Sequence, residues 1–282
     1  ACLMARRDKR MDVTYSTNAW GMVAAHCCGA NNVNYAYYIA TGEDKTAIKE
    51  IAEAGFESIE MFDGNLLAYE EKIDSLKELL EQCRLGFRAV YSAANFIYDE
   101  ILEEEYGKIM RTARIAQKLG ARHLVLGGGA IRQDGIQESD YRKLGKALDE
   151  ISRRAEDIGL TTSFHPHMGS LVESPGQLDK VMEHTGVWLC PDCGHVFLGG
   201  GNPYQITEKY LERIKYFHLK GVNENGVFCA LDHGEIDFDP ILKLIKGCKR
   251  KIELAVECDA NSSEPGQDAR ATARYLAEHG MK

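Results

Sequence analysis

No apolar run among these 282 residues approaches the ~18 consecutive positions of a membrane span, which argues against a spanning helix. The first twelve residues, ACLMARRDKRMD, lack the apolar stretch of a secretory signal. Residues 1–11 therefore read as a disordered leader ahead of a domain over 12–282, and Arg6, Arg7, Lys9 and Arg10 as a solvated tail rather than a binding arm. Positive charge is in short supply: 34 Lys and Arg face 43 Asp and Glu, for a net charge of -9. That sign disfavours nucleic acid or an anionic membrane as a partner. No linker rich in Pro, Ser or Gly divides the chain, and 44% hydrophobic content at this length suffices to bury about three quarters of the unfolded surface in one core. Nine cysteines, an odd number scattered from Cys2 to Cys258, do not form a disulfide pattern and point to a reducing cytoplasm. The glycine-rich stretches at 127–130 and 198–203 follow neither phosphate-cradling spacing, so they read as tight loops.

What is present is strict alternation. Short β-rich runs fall at 12–17, 57–62, 87–92, 122–127, 160–165, 187–192, 215–220 and 252–257. Helical periodicity fills the intervals at 43–54, 67–83, 99–119, 139–158, 175–184, 204–213, 238–247 and 267–279. Gly55, Gly120 and Gly159 stand just past the last apolar turns, where helices stop. Strands and helices alternating through the whole chain predict a single (β/α)8 barrel of the TIM type, with a doubly wound open sheet as the competing architecture. The longest irregular stretch, 18–42, follows the first strand. On a barrel it would lie over the catalytic rim, placing Trp20, His26, Asn31, Asn32, Tyr35 and Tyr37 to pack on or hydrogen-bond a polyol. An ordinary packed loop is the plainer alternative.

Four runs in the second half end on metal-binding side chains: His165 with His167, Asp192 with His195, His218, and Glu257. Side chains alternate along a strand, so His165 and His167 share a face, as do His218 and Lys220. Barrel enzymes keep their active sites at the C-terminal strand ends, where every one of these residues falls. Alone, a strand histidine is more often a hydrogen-bonded core residue, Asp192 a turn residue and Glu257 a salt-bridge partner. Together they predict a divalent-metal pocket, with Mn²⁺ favoured for mixed imidazole and carboxylate donors and Co²⁺, Zn²⁺, Fe²⁺ or Mg²⁺ as alternatives. Cys190-Pro-Asp-Cys193 can also be read as a redox pair, but Asp192 at its centre fits the metal set better.

The segments FHPHMGSLVES (164–174), LCPDCGHVFLGGGNP (189–203), YLERIKYFHLKGV (210–222), HGEIDFDPIL (233–242) and LAVECDAN (254–261) resemble the sugar isomerase and epimerase superfamily of xylose-isomerase-like barrels. Within it, the chain is most similar to the inosose (2-keto-myo-inositol) dehydratase branch. The likeness implies metal ligation by His165, Asp192, His218 and Glu257, with His195 binding substrate or supporting the site. The ketose epimerases carry a glutamate where His165 stands and exchange protons between two metal-bound glutamates. Of that pair this chain keeps Glu257, which leaves room for a one-base elimination with His167 or His195 as the other proton carrier.

The expected chemistry is metal-assisted enolisation of a small keto-sugar or keto-cyclitol, followed by dehydration or by isomerisation or epimerisation. Lys220 is placed to hold a substrate oxygen or assist the leaving group, and Glu173 and Glu60 are further candidates for hydroxyl binding. Two readings of other classes stay open: a zinc-dependent abasic-site endonuclease, which the acidic charge opposes, and a non-catalytic sugar-binding barrel. Homo-oligomerisation is compatible with all of them.

Overall fold

The computed structural model describes residues 11–20, 37–259 and 263–281. Apart from Met11, which opens the first strand, the expected leader lies outside the described residues, as do His26, Asn31, Asn32 and Tyr35.

The first half runs β1 (Met11–Ser16), α1 (Asp44–Ala54), β2 (Phe56–Phe62), α2 (Asp63–Leu67), α3 (Ile73–Cys83), β3 (Gly86–Ala93), α4 (Leu102–Lys118), β4 (His123–Gly127) and α5 (Glu138–Glu156). The second half runs β5 (Thr161–His165), α6 (Pro175–Met182), β6 (Trp188–Leu189), α7 (Cys193–Leu198), α8 (Pro203–Tyr210), β7 (Tyr216–Leu219), β8 (Gly221–Val222), β9 (Phe228–Cys229), α9 (Asp239–Gly247), β10 (Glu253–Val256) and α10 (Pro265–Glu278). Eight strands form one parallel sheet in the order β6-β5-β4-β3-β2-β1-β10-β7. Isolated parallel bridges at Leu189–Ile214 and Asp192–His218 join its two edges and bring the sheet round into a barrel. All eight expected strands are there.

Alternation along each strand sorts the sequence into two cores. Ile59, Met61, Leu124, Leu126, Phe164, Phe217, Leu219, Leu254 and Val256 belong to the layer under the helices. Their neighbours Ala89, Tyr91, Val125, Cys190, Tyr216 and Ala255 fill a small inner core together with buried polar groups. Local signals place the helices: α1 buries Ala47, Ile48 and Ile51 and stops at Gly55, whose φ of 99° suits a residue without a side chain. Ser174 and Gln177 cap one another at the start of α6, with Pro175 at its first position.

Three departures from the sequence reading matter. The single helix expected over 67–83 resolves into α2, a 3-10 turn at Glu70–Lys72 and α3, with Leu66 and Tyr69 buried at the bend. The run 187–192 is a continuous strand at Trp188–Leu189 only, because Pro191 has no N–H to give and Asp192, which keeps an isolated bridge to His218, is taken up as the cap of α7. Neither α7 nor the β8–β9 hairpin was apparent from periodicity, each being too short to show one. No disulfide joins the described residues, and no described helix is long and apolar enough to cross a membrane.

Candidate metal centre

The C-terminal ends of β5, β6, β7 and β10 meet on either side of the barrel seam. His165 ends β5 and is fully buried. Asp192 caps α7, its Oδ1 accepting from the His195 backbone N–H at 2.8 Å. That bond uses one oxygen and leaves Oδ2 3.5 Å from His165 Nε2, 3.8 Å from His218 Nδ1 and 3.4 Å from Lys220 Nζ. His218, on β7, sits between two carboxylates: Nδ1 lies 2.9 Å from Glu257 Oε2 and Nε2 3.3 Å from Glu60 Oε2. Glu257 follows β10, anchored by its backbone N–H to the carbonyl of Leu219 at 3.1 Å. One donor atom from each of His165, Asp192, His218 and Glu257 lies within 4.8 Å of all the others.

The donor set suits a divalent cation on two grounds. Both His165 ring nitrogens and Asp192 Oδ2 are buried without a hydrogen-bond partner, and each such group costs about 1–3 kcal/mol unless something pairs with it. Carboxylates are also in excess, since Asp192, Glu257 and Asp259 gather around a single ammonium, that of Lys220, and Glu60 adds a fourth against His218. Burial pushes the Asp192 and Glu257 carboxyls up, but Lys220 and the histidines outweigh it and hold both well below the usual carboxylate range. They stand as charged donors.

A second group, His167, His195 and Asp259, lies beside the first. Lys220, fully buried, links the two: its Nζ is 2.9 Å from His195 Nε2, 2.8 Å from Asp259 Oδ2 and 3.0 Å from Glu257 Oε2. Burial alone would weaken the hold of Lys220 on its proton, but Asp192, Asp259 and Glu257 outweigh it and keep the ammonium charged. The ammonium has no acceptor capacity, so His195 Nε2 receives its hydrogen bond and the ring proton belongs on Nδ1, which is buried without a partner. His167 is the reverse: Nδ1 donates to the Met168 carbonyl at 2.6 Å, leaving the lone pair on Nε2. Burial, reinforced by His165 and Lys220, holds His167 down at about 4. The two rings lie close and tilted, centroids 3.8 Å apart with 35° between their planes, and Phe228 covers Lys220 at 4.8 Å.

Of the residues singled out in the sequence, His165, His167, Asp192, His195, His218, Lys220 and Glu257 are brought together, and Glu60 stands against His218. Glu173 instead ties its own loop, accepting from the Gly169 N–H at 2.8 Å. Trp20 packs edge-on against Tyr15 and donates its indole N–H to Glu50 of α1, which puts it in the layer beneath the helices. Three residues at the site went unread. Asp259 stands two positions beyond Glu257, the same spacing that flagged His165 with His167 and His218 with Lys220. Asn18 extends the inward series Thr14, Ser16 of β1. Tyr91 packs edge-on against His165 at 5.3 Å, with its buried hydroxyl unpartnered beside Gly127, where a Cβ would fall 1.7 Å from that oxygen. No spacing marks Tyr91; the placing of β3 beside β4, and β4 beside β5, sets its ring against His165.

A family model for xylose isomerase-like TIM barrels matches residues 48–279. The inosose dehydratase of Clostridium beijerinckii is 28% identical over 268 residues, which cover 82% of this chain and 88% of that protein. L-ribulose 3-epimerase superposes with a TM-score of 0.73 at 16% identity, over 95% of this chain and 93% of the other. A xylose isomerase-like barrel protein from Mycobacterium smegmatis, solved in complex with magnesium, superposes with a TM-score of 0.69 at 14% identity, over 95% and 96% of the two chains. At these identities the superpositions speak for the barrel and leave its chemistry to be argued from the side chains.

Proposed function

The chain belongs to the xylose isomerase-like TIM barrel family, and from that premise we propose that it is a divalent-metal-dependent lyase that dehydrates a keto-cyclitol or keto-sugar. The observation that carries the proposal is the buried cluster of His165, Asp192, His218 and Glu257 with its unspent donor atoms. The similarity to inosose dehydratase supports elimination as the outcome. Mn²⁺ is the favoured ion for two imidazoles and two carboxylates; the magnesium in the M. smegmatis protein makes Mg²⁺ the first alternative. When bound, such a cation supplies Lewis-acid polarisation of a substrate ketone, which acidifies the neighbouring C–H.

The proton work falls to the chain's own groups. His167 Nε2, the free lone pair, removes the proton beside the ketone. His195 gives its Nδ1 proton to the departing β-hydroxyl, which leaves as water, while Nε2 takes a proton from Lys220. One proton is taken, one is given, and the product is the conjugated enone. Asp259 and Glu257 hold Lys220 against the imidazole throughout. Epimerisation shares the first step and differs in delivering a proton to the opposite face of that carbon instead of losing the hydroxyl.

The test is incubation of the Mn²⁺-loaded protein in D₂O with 2-keto-myo-inositol and a panel of keto-sugars. Loss of water from one of them, with deuterium exchange beside the ketone that His167→Gln abolishes, is the expected result. Exchange with no loss of water from any compound would replace dehydration by epimerisation or isomerisation; no exchange at all would remove the enolisation reading.

A further inference from the structure

Asn18 is 1% exposed and spends its amide group on two carboxylates: Nδ2 donates to Glu257 Oε1 at 2.8 Å and to Asp259 Oδ1 at 2.6 Å. An amide nitrogen carries two hydrogens, so both are used. The flipped orientation would set a carbonyl oxygen against two negative groups, so these partners fix which way the amide points. The remaining oxygen of each acid turns to Lys220, Glu257 Oε2 at 3.0 Å and Asp259 Oδ2 at 2.8 Å. The same Glu257 Oε2 is the oxygen that faces His218 Nδ1 at 2.9 Å and His165 Nε2 at 3.9 Å. A free carboxylate can offer a cation one oxygen or both. Here one is already engaged. Asp192 is sorted by a parallel device, its Oδ1 held by the backbone N–H of His195.

We propose that Asn18 is a positioning residue of the candidate metal centre: it confines Glu257 to one donor oxygen and yokes that carboxylate to Asp259, and so to Lys220. The proposal rests on the four-residue cluster being the cation site. It assigns a role to a side chain from the far end of the sequence, 239 positions from Glu257. Side chains that orient metal ligands are typically worth about 10- to 100-fold in metal affinity.

The full-length protein titrated with Mn²⁺ alone tests it, with affinity read by calorimetry and ligand geometry by electron paramagnetic resonance of the bound ion. Asn18→Leu, with the same number of side-chain heavy atoms and no donors, is expected to bind Mn²⁺ about 10-fold more weakly. Its resonance spectrum should also change, because Glu257 is then free to offer both oxygens. Asn18→Ser, which keeps one donor, should fall between, and it carries the comparison if the leucine variant does not fold. Wild-type affinity and an unaltered spectrum in both variants, in a protein whose Mn²⁺ uptake is lost in His165→Ala, would overturn the positioning role and leave the cation site standing. No Mn²⁺ uptake by the wild-type protein would overturn the cation site and the proposal with it.

Discussion

The two ends of this barrel treat buried charge in opposite ways. At the N-terminal end Glu253 is surrounded: Oε1 meets Arg122 at 2.8 Å, and Oε2 meets Arg88 at 3.0 Å and His123 at 3.1 Å. Arg88 also reaches Asp12, which Lys251 pairs from the other side. Both Glu253 oxygens are paired there, and His123 Nδ1 is that network's one buried orphan among the described residues. At the C-terminal rim, both nitrogens of His165, Asp192 Oδ2, Glu60 Oε1 and His195 Nδ1 have no hydrogen-bond partner. At about 1–3 kcal/mol for each unpaired group, that is a large sacrifice for a protein whose whole stability is of the order of 5–15 kcal/mol. A fold that pairs its half-buried acid at one end has left buried polar atoms without hydrogen-bond partners at the other, and the difference marks the rim as the candidate site.

Asp192→Asn is the sharpest way to break that contrast. The amide keeps an oxygen to cap α7 and removes the charge from a cluster that already has too many acids. Turnover should fall by about 10³-fold or more, as for loss of a group that acts on the reacting charge. Thermal stability of the metal-free protein should stay level or rise, since a site kept for function is not one kept for stability. A metal-free protein that melts several degrees lower with turnover intact would make the rim cluster a structural network like the one beneath it.

Adding the ion addresses the same contrast from the other side. Mn²⁺ at 100 times its dissociation constant should add about 2.7 kcal/mol of stability by mass action, or roughly 5 °C and more in Tm at this chain length. The gain should be local as well. His165 and Asp192 lie on one side of the barrel seam, His218 and Glu257 on the other, and two isolated bridges hold that seam. Hydrogen exchange should slow at the His218 N–H, which crosses the seam to the Pro191 carbonyl, and stay as it was at the Glu253 N–H, bonded to Lys215 at the opposite end. Equal protection at both amides would mean that the ion stabilises the whole barrel without closing the seam.

The sequence made the rim more legible than the other end, for a physical reason. Candidate ligands at strand ends stand out because His, Asp and Glu are costly to bury, and His165, Asp192, His218 and Glu257 interrupt apolar runs. The barrel itself could be read because each helix and strand carries its own period. Asn18 and Asp259 escaped notice because what recommends them is each other: their roles exist only once β1 and β10 are neighbours in the sheet. The Glu253 network escaped for the same reason, its members arriving from β1, β3, β4 and β10. Trp20 shows the converse hazard: an aromatic next to a long loop suggests a binding surface, and the fold uses it to pack α1 against β1.

Acid titration of Glu253→Gln tests the paired end directly. Partial burial alone would raise the Glu253 carboxyl, but the hydrogen bond from His123 and the charges of Arg88 and Arg122 outweigh it and hold it at about 2 against an ordinary 4.5. A carboxyl depressed by folding contributes stability that is complete above its unfolded value and lost as pH falls toward its folded one. Wild type should therefore exceed the variant by a constant amount above about pH 4.5, with the margin closing between there and about pH 2. Arg122 is largely in solvent, so screening reduces the margin to about 1–2 kcal/mol. Mn²⁺ affinity should be the same in both proteins, because the glutamate lies at the end of the barrel away from the cluster. A margin that persists unchanged to pH 2 would mean that the glutamine is misplaced for reasons of shape and that the network holds no charge-dependent stability; a fall in Mn²⁺ affinity would mean that the two ends are not the independent devices their geometry describes.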